Sequence, residues 1–352
     1  MAAESAYAAA GVDILAGERA VELMKASVAA SHRSEVLGGL GGFAGFFDAS
    51  ALARYTRPVL ATSTDGVGTK VAIARAMGVY DTIGWDLVGM LVDDLVVTGA
   101  EPLFVTDYIA CGKVHPERIA AIVGGIAAAC TAAGAALLGG ETAEHPGLME
   151  AEDFDVAGAT TGVVEYDAIL GADRVRPGDA VLALASSGLH SNGYSLVRRV
   201  VADAGWALDR DVPELGSTLG EALLTPTRVY AKDLLAIIAA CEVHSISHIT
   251  GGGLANNLVR VLPDGVVADL DRSTWTPPPV FGLIQDLGGV SRDDIEATLN
   301  QGVGMALVLP EASLARAQRE AEAAGIASWV LGSVRAEPGT SARVEVHGDH
   351  VG

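Results

Sequence analysis

A chain of 352 residues is long for one hydrophobic core and short for three, so two domains are expected. Half of the residues are hydrophobic but only 5% are aromatic, so Val, Leu, Ile and Ala must fill an interior of helices packed on sheets. A formal charge of -21 excludes a nucleic-acid backbone or an anionic membrane as the main partner, and any phosphate ligand must then be held by a bound cation, backbone N–H groups or a few basic side chains.

Residues 1–57 read as irregular, with a glycine cluster at Gly38, Gly39, Gly41, Gly42 and Gly45. Glu4 and Asp13 break the basic-then-apolar order of a signal peptide, so export is not expected. A strand is expected over 58–64 and a helix over 70–77. A longer helix follows over 82–98, with Ile83, Leu87, Leu91 and Leu95 at helical spacing. Strands are expected over 103–111, 135–138 and 154–165, with a helix over 116–133. Residues 119–140 carry no charge and are long enough to span a bilayer. Their Ala and Gly content, and the break at Gly134, favour a buried helix followed by a buried strand.

Periodicity is lost over 167–178, ending in the turn Arg176-Pro177-Gly178-Asp179, which places the domain boundary near residue 170 and gives domains 1–170 and 171–352. A second α/β unit begins there, with strands expected over 180–185, 244–249, 266–270 and 304–309, and helices over 194–204, 228–240, 254–261 and 311–324. Two further helices and short terminal strands complete it. Cys111, Cys130 and Cys241 lie far apart without a CxxC pair, which indicates neither a disulfide framework nor a zinc ribbon and suits the cytoplasm.

Four segments carry candidate chemistry. In Thr64-Asp65-Gly66-Val67-Gly68-Thr69-Lys70 an apolar strand delivers a carboxylate, two glycines and a lysine ahead of a helix. Asp65 can ligate Mg²⁺, the glycines admit phosphate oxygens to backbone N–H groups, and Lys70 can neutralise what remains. The order is not that of a Walker loop, and an Asp-Gly hairpin turn is the plain alternative. On the long helix, Asp86 and Asp93 are seven residues apart and share a face, with Asp94 one step round. Carboxylates on so apolar a helix must be solvated or bound to something positive, and Mg²⁺ is favoured. Gly139-Gly140-Glu141-Thr142 places another carboxylate at the end of a buried strand, where α/β proteins gather ligands. In the second half, Ser186-Ser187-Gly188-Leu189-His190-Ser191-Asn192-Gly193 offers hydroxyls, an amide and an imidazole, with helix capping as the alternative. Thr250-Gly251-Gly252-Gly253 repeats that logic. Gly39-Leu40-Gly41-Gly42-Phe43-Ala44 matches a dinucleotide fingerprint only formally, since no buried strand precedes it, and reads better as a loop that closes over a ligand. Ser187 and Ser191 beside His190 lack a nucleophile-elbow context.

Together these segments resemble the AIR synthetase family. The matching stretches run in family order from 10–14 through 37–43, 64–70, 94–97, 99–102, 139–144, 154–158 and 190–198. They continue through 226–228, 248–253, 302–305 and 331–334. The resemblance implies an α/β (α+β) two-domain fold, in which an N-terminal mixed sheet forms a barrel across a homodimer and the C-terminal half is an α/β sandwich. It implies ATP and Mg²⁺ as cofactors and formylglycinamidine ribonucleotide as substrate, closed to aminoimidazole ribonucleotide after phosphorylation of its formyl oxygen. It places Asp65, Asp93, Asp94 and Glu141 at the metal, and Thr64, Asp65, Gly66, Gly68, Thr69, Gly140 and Glu141 at the nucleotide. Lys70, Asp94 and His190 fall at the chemistry, and Gly41, Gly42, Ser191, Asn192, Gly193, Thr250, Gly251 and Gly252 at the substrate. The family often carries Asn where Asp93 stands, and Leu299-Asn300-Gln301 departs from its usual residues. A sibling small-molecule kinase and a non-catalytic nucleotide-binding scaffold are the competing readings.

Overall fold

The computed structural model describes residues 13–39 and 41–351; Glu4, the stretch Ala10-Gly11-Val12 and Leu40 lie outside them. The chain divides into two units, residues 13–95 with Pro102–Glu165, and Val96–Glu101 with residues 166–351.

The first unit opens with a helix where sequence led us to expect irregular chain. Helix α1 (Ile14–Ser31) is capped by Asp13, whose carboxylate accepts from the Ala16 N–H at 3.0 Å. It buries Ala20, Met24 and Val28, four residues apart, and packs along helix α4 (Pro116–Ala133). Between them in sequence lie the short strands β1 (Val36–Leu37) and β2 (Phe46–Phe47), strand β3 (Pro58–Gly66), helices α2 (Val71–Met77) and α3 (Thr82–Val96), and strand β4 (Glu101–Cys111). Strands β5 (Ala136–Glu144) and β6 (Phe154–Glu165) follow α4.

Among the described residues α4 is the one helix long and apolar enough to cross a membrane. Its Ile119, Ile122, Ile126 and Cys130 are buried in the unit, as a core helix requires. Helices α3 and α4 touch backbone to backbone: a Cβ on Gly84 would stand 2.2 Å from the Ile126 nitrogen, and one on Gly125 2.0 Å from the Asp81 oxygen. No other residue type permits that crossing.

The four-stranded sheet has the order β3-β6-β4-β5. β3 and β6 are antiparallel from Pro58↔Glu165 to Gly66↔Ala157, and β4 and β5 are parallel. Along β4 the alternation is clear, with Val105, Asp107 and Ile109 buried and Thr106 and Tyr108 exposed. Leu60, Thr62 and Thr64 of β3 are likewise exposed, so one face of this sheet is covered by helices and the other is open.

The second unit contains strand β7 (Ala180–Ala185), helix α5 (Tyr194–Asp203), the short pair β8 (Asp211–Val212) and β9 (Ser217–Thr218), and helices α6 (Leu219–Leu223) and α7 (Ala231–Ala240). Strand β10 (Ser245–His248), helix α8 (Gly253–Leu258), strand β11 (Val266–Asp271), helices α9 (Pro279–Gly288) and α10 (Arg292–Glu296), and strand β12 (Val303–Leu309) come next. Helix α11 (Leu314–Ala323) and strands β13 (Ser328–Ala336) and β14 (Arg343–His347) complete it. Six strands form one sheet in the order β10-β12-β7-β13-β11-β14. Every residue of β12 is buried, and the core gathers Val181, Leu258, Trp275, Val308 and Leu331.

Candidate active site

At the end of β3 the Asp65 carboxylate accepts from the Gly66 N–H at 2.7 Å, and the Val67 N–H donates to the Val156 carbonyl, which turns the chain away from the sheet. Gly68 then takes φ +70, and the short turn Gly68–Lys70 leads into α2. Asp65 is half-buried and Thr64 exposed.

Lys70 is placed otherwise than its motif suggested. Its ammonium is fully buried and lies 2.8 Å from the fully buried Asp86 carboxylate. Burial pulls the Lys70 pKa down, while the Asp86 charge and hydrogen bond pull it up. The positive partner that the apolar helix required for Asp86 is therefore a lysine sixteen residues back, and the ammonium faces no open surface. Along the same helix Asp93 is buried, whereas Asp94 is exposed, as one step of rotation dictates.

Gly139, Gly140 and Glu141 lie within β5, which runs on to Glu144 rather than stopping at Leu138. Glu141 is exposed, and its carboxylate accepts from the Thr142 N–H at 3.0 Å. The structure does not gather Asp65, Asp93, Asp94 and Glu141 into one tight cluster. Among the described residues the one carboxylate and imidazole group with ligand atoms all within 4.8 Å is Asp269, Glu345 and His347 in the second unit. There Arg335 already pairs with both carboxylates.

Beside β5 a cavity of about 280 Å³ runs along α1, lined by Gly41, Gly42, Val123, Leu137, Gly139–Thr142 and the α1 side chains. Asp107 also lines it, a residue that motif reasoning passed over. Burial raises the Asp107 pKa from 3.8 to about 7, countered only by its own backbone N–H. A Cβ on Gly140 would stand 2.1 Å from the Asp107 Oδ1, so that glycine is what leaves room for the carboxyl. Strand alternation was the available signal, since Asp107 falls in phase with Val105 and Ile109 on the buried face.

In the second unit the turn between β7 and α5 is held from several sides. His190 adopts φ 58 and is buried. Its Nε2 accepts from the Ser187 N–H at 3.2 Å, which requires that nitrogen to be unprotonated and puts the neutral imidazole proton on Nδ1. The Asn300 amide donates to the Gly188 carbonyl at 3.0 Å, and Ser187 Oγ donates to the Pro226 carbonyl at 2.7 Å. The Asn257 amide braces the other loop by donating to the Thr250, Gly251 and Gly253 carbonyls at 3.3, 3.2 and 2.8 Å. The two loops meet: a Cβ on Gly251 would lie 3.4 Å from the Asn192 Oδ1. Ser191–Gly193 and Thr250–Gly252, expected at one substrate, thus form one polar surface.

The two units match the two domain models of one family, the AIR synthase related proteins. The N-terminal domain model of that family matches residues 47–164 and the C-terminal domain model residues 176–345. The fold is shared with the thiamine-monophosphate kinase of Stenotrophomonas maltophilia, at TM-score 0.68 and 20% identity over 93% of this chain and 96% of that one. It is also shared with the hydrogenase maturation protein HypE in complex with ATP, at TM-score 0.56 and 18% identity over 98% and 92%. A phosphoribosylformylglycinamidine cyclo-ligase of Shouchella clausii is 50% identical over 337 residues, 96% of this chain and 97% of that protein. The chain belongs to the phosphoribosylformylglycinamidine cyclo-ligase family.

Proposed function

We infer that the protein is an ATP-dependent ligase of purine biosynthesis. It would convert formylglycinamidine ribonucleotide to 5-aminoimidazole ribonucleotide with release of ADP and phosphate. The observation that carries this reading is the 50% identity, over nearly the whole of both chains, to a protein named for that reaction. Three free cysteine thiols suit a cytoplasmic setting.

A formamide carbonyl is a poor electrophile and its oxygen a poor leaving group. Transfer of the γ-phosphoryl group to that oxygen cures both faults, after which the amidine nitrogen attacks the formyl carbon and phosphate departs. Asp65, Asp94 and Glu141 offer only carboxylate oxygens and are at least partly accessible, a donor set that fits Mg²⁺. Bound with the nucleotide, Mg²⁺ would neutralise charge on the transferring phosphoryl group. With Lys70 turned inward, and the Gly66 and Val67 N–H groups already donating to Asp65 and Val156, the N–H of Gly68 would meet a phosphate oxygen, while Gly41–Gly42 would border the substrate. The Ser191–Gly193 and Thr250–Gly252 surface would bind the substrate, with His190 shaping the loop that carries it.

We further infer a homodimer. Asp65 and Glu141 stand on opposite edge strands of the sheet, three strand spacings or roughly 14 Å apart. Both reach one metal ion only if two copies bring unlike edges together, and a barrel closed in that way would also cover the open face.

The mechanism is tested with substrate carrying ¹⁸O at the formyl carbonyl. The label is expected in the released phosphate. A kinase would leave the phosphoryl group on its product, and unlabelled phosphate would refute activation of the formyl oxygen.

A further inference from the structure

Asp107 is a buried carboxylate of the first unit that the proposed function leaves unexplained. It is 8% exposed, and among the described residues its carboxyl has no hydrogen-bond partner beyond its own backbone N–H. Its charge also reaches the buried Cys130 thiol, whose pKa it pushes further up, so the neighbouring titratable group offers no relief. A buried carboxylate without a counter-charge costs several kcal/mol of folding free energy, on the order of an unpaired polar group or more.

The cavity in front of it supplies no compensation either. Ala20, Val21, Met24, Val28, Val123 and Leu137 make its walls apolar, and no Lys, Arg or His lines it. A phosphate or other anion would be repelled from its inner end, so whatever satisfies Asp107 must bring N–H donors, and preferably positive charge, with it. The cavity of about 280 Å³ is just below the range of about 300–1,000 Å³ usual for whole drug-sized ligands, which suits one end of a substrate.

We propose that this cavity is the amidine subsite of the enzyme and that Asp107 is a substrate-binding residue whose two carboxylate oxygens accept paired N–H bonds from the amidine of formylglycinamidine ribonucleotide. This rests on the cyclo-ligase reading, in which the amidine nitrogen must be held facing the formyl carbon. Gly140 keeps the space that the carboxyl occupies, and Glu141, the residue assigned to the metal nucleotide, lines the same cavity. The subsite therefore adjoins the place where the phosphoryl group is transferred. A cationic guest also draws the carboxyl back to its ionised form, and fork-to-fork pairing of two N–H donors with two oxygens fixes the plane of the amidine.

The test compares wild type with Asp107→Asn, which keeps the size of the side chain but replaces one acceptor by a donor. With Mg²⁺ and ATP, kcat/KM for formylglycinamidine ribonucleotide is expected to fall about a hundredfold or more, while KM for ATP stays within about twofold. Acetamidinium, the probe of the isolated group, should raise the melting temperature of wild type and not that of the variant, whereas acetamide should raise neither. In wild type, acetamidinium should inhibit competitively against formylglycinamidine ribonucleotide, a measurement that does not depend on the variant folding. Competition against ATP, an elevated KM for ATP in Asp107→Asn, or an acetamidinium shift that survives the substitution would overturn the proposal. Absence of ring closure by wild type would instead strike the cyclo-ligase reading itself.

Discussion

Two of the carboxylates that the first unit buries stand in opposite circumstances. Asp86 sits on α3 against the ammonium of Lys70, both at zero exposure, and the pair is closed to solvent and to ligands. Asp107 sits on β4 with a cavity before it and no cation among the residues that line it. The difference separates a charge that the fold neutralises for itself from one left for something else to neutralise. The first is a structural element that happens to lie in a phosphate-like motif. The second carries no motif, and its surroundings mark it as a place for a ligand.

The sharpest way to break this contrast is to remove one half of the closed pair. Lys70→Met should cost about 3–5 kcal/mol in urea unfolding, because it removes the ammonium that stands against the buried Asp86 carboxylate. Lys70→Met with Asp86→Leu should recover most of that loss. A single variant as stable as wild type would show that the pair is not what holds this region.

Asp107→Asn should act in the other direction on the unliganded protein. The folded chain holds the Asp107 proton up to about pH 7, while the unfolded chain gives it up near its ordinary value of 3.8. Between those values the unfolded state binds fewer protons, so wild-type stability falls as pH rises, by up to about 4 kcal/mol across the window, and then levels off. Asparagine removes that dependence. The melting temperature of the variant should match wild type near pH 4 and exceed it most above pH 7; a constant gap would mean that Asp107 is ionised throughout.

The smallest effect on the isolated chain is expected at the open face of the sheet. Leu60 is 62% exposed there, so Leu60→Glu should change the stability of a single chain by no more than about 0.5 kcal/mol. In light scattering the same substitution should turn a dimer into a monomer. A wild-type protein that is already monomeric at micromolar concentration would remove the proposed role of this face.

Much of the fold could be read in advance because its strongest signals are local. The apolar spacing of α3, the unbroken run of α4 and the alternation of β6 each follow from period alone, and the exposure of Asp94 beside the buried Asp93 follows from one step of helical rotation. Helix α1 was missed because its buried stripe is only Ala20, Met24 and Val28, while its larger apolar residues Ile14, Leu15, Val21 and Leu23 stand exposed, so no single face registers until α4 is placed against it. Strand β5 was cut short because Gly139 and Gly140 have low strand preference, which pairing with β4 overrides. The Lys70–Asp86 pair was hidden for another reason: each residue has a good functional explanation by itself, and only the chain's return through α2 and α3 joins them. Asp107 had its signal in plain alternation, but a single acid in a strand announces nothing until the absence of a counter-charge around it is known.

Strand β3 has one further consequence, in the order of events during synthesis. Its start is fixed by the Glu165 carboxylate, which accepts from the Arg57 N–H across 108 positions of sequence, and its hydrogen-bonded partner throughout is β6. At about 5–20 residues per second, a ribosome needs several seconds to deliver β6 after β3 has emerged. During that interval an edge carrying Leu60 and Val59 waits unpaired, a non-local closure of the kind that folds slowly. The completion of β6 is therefore the moment at which the first unit becomes a folded body, and a chain interrupted before Glu165 leaves β3 without its full mate.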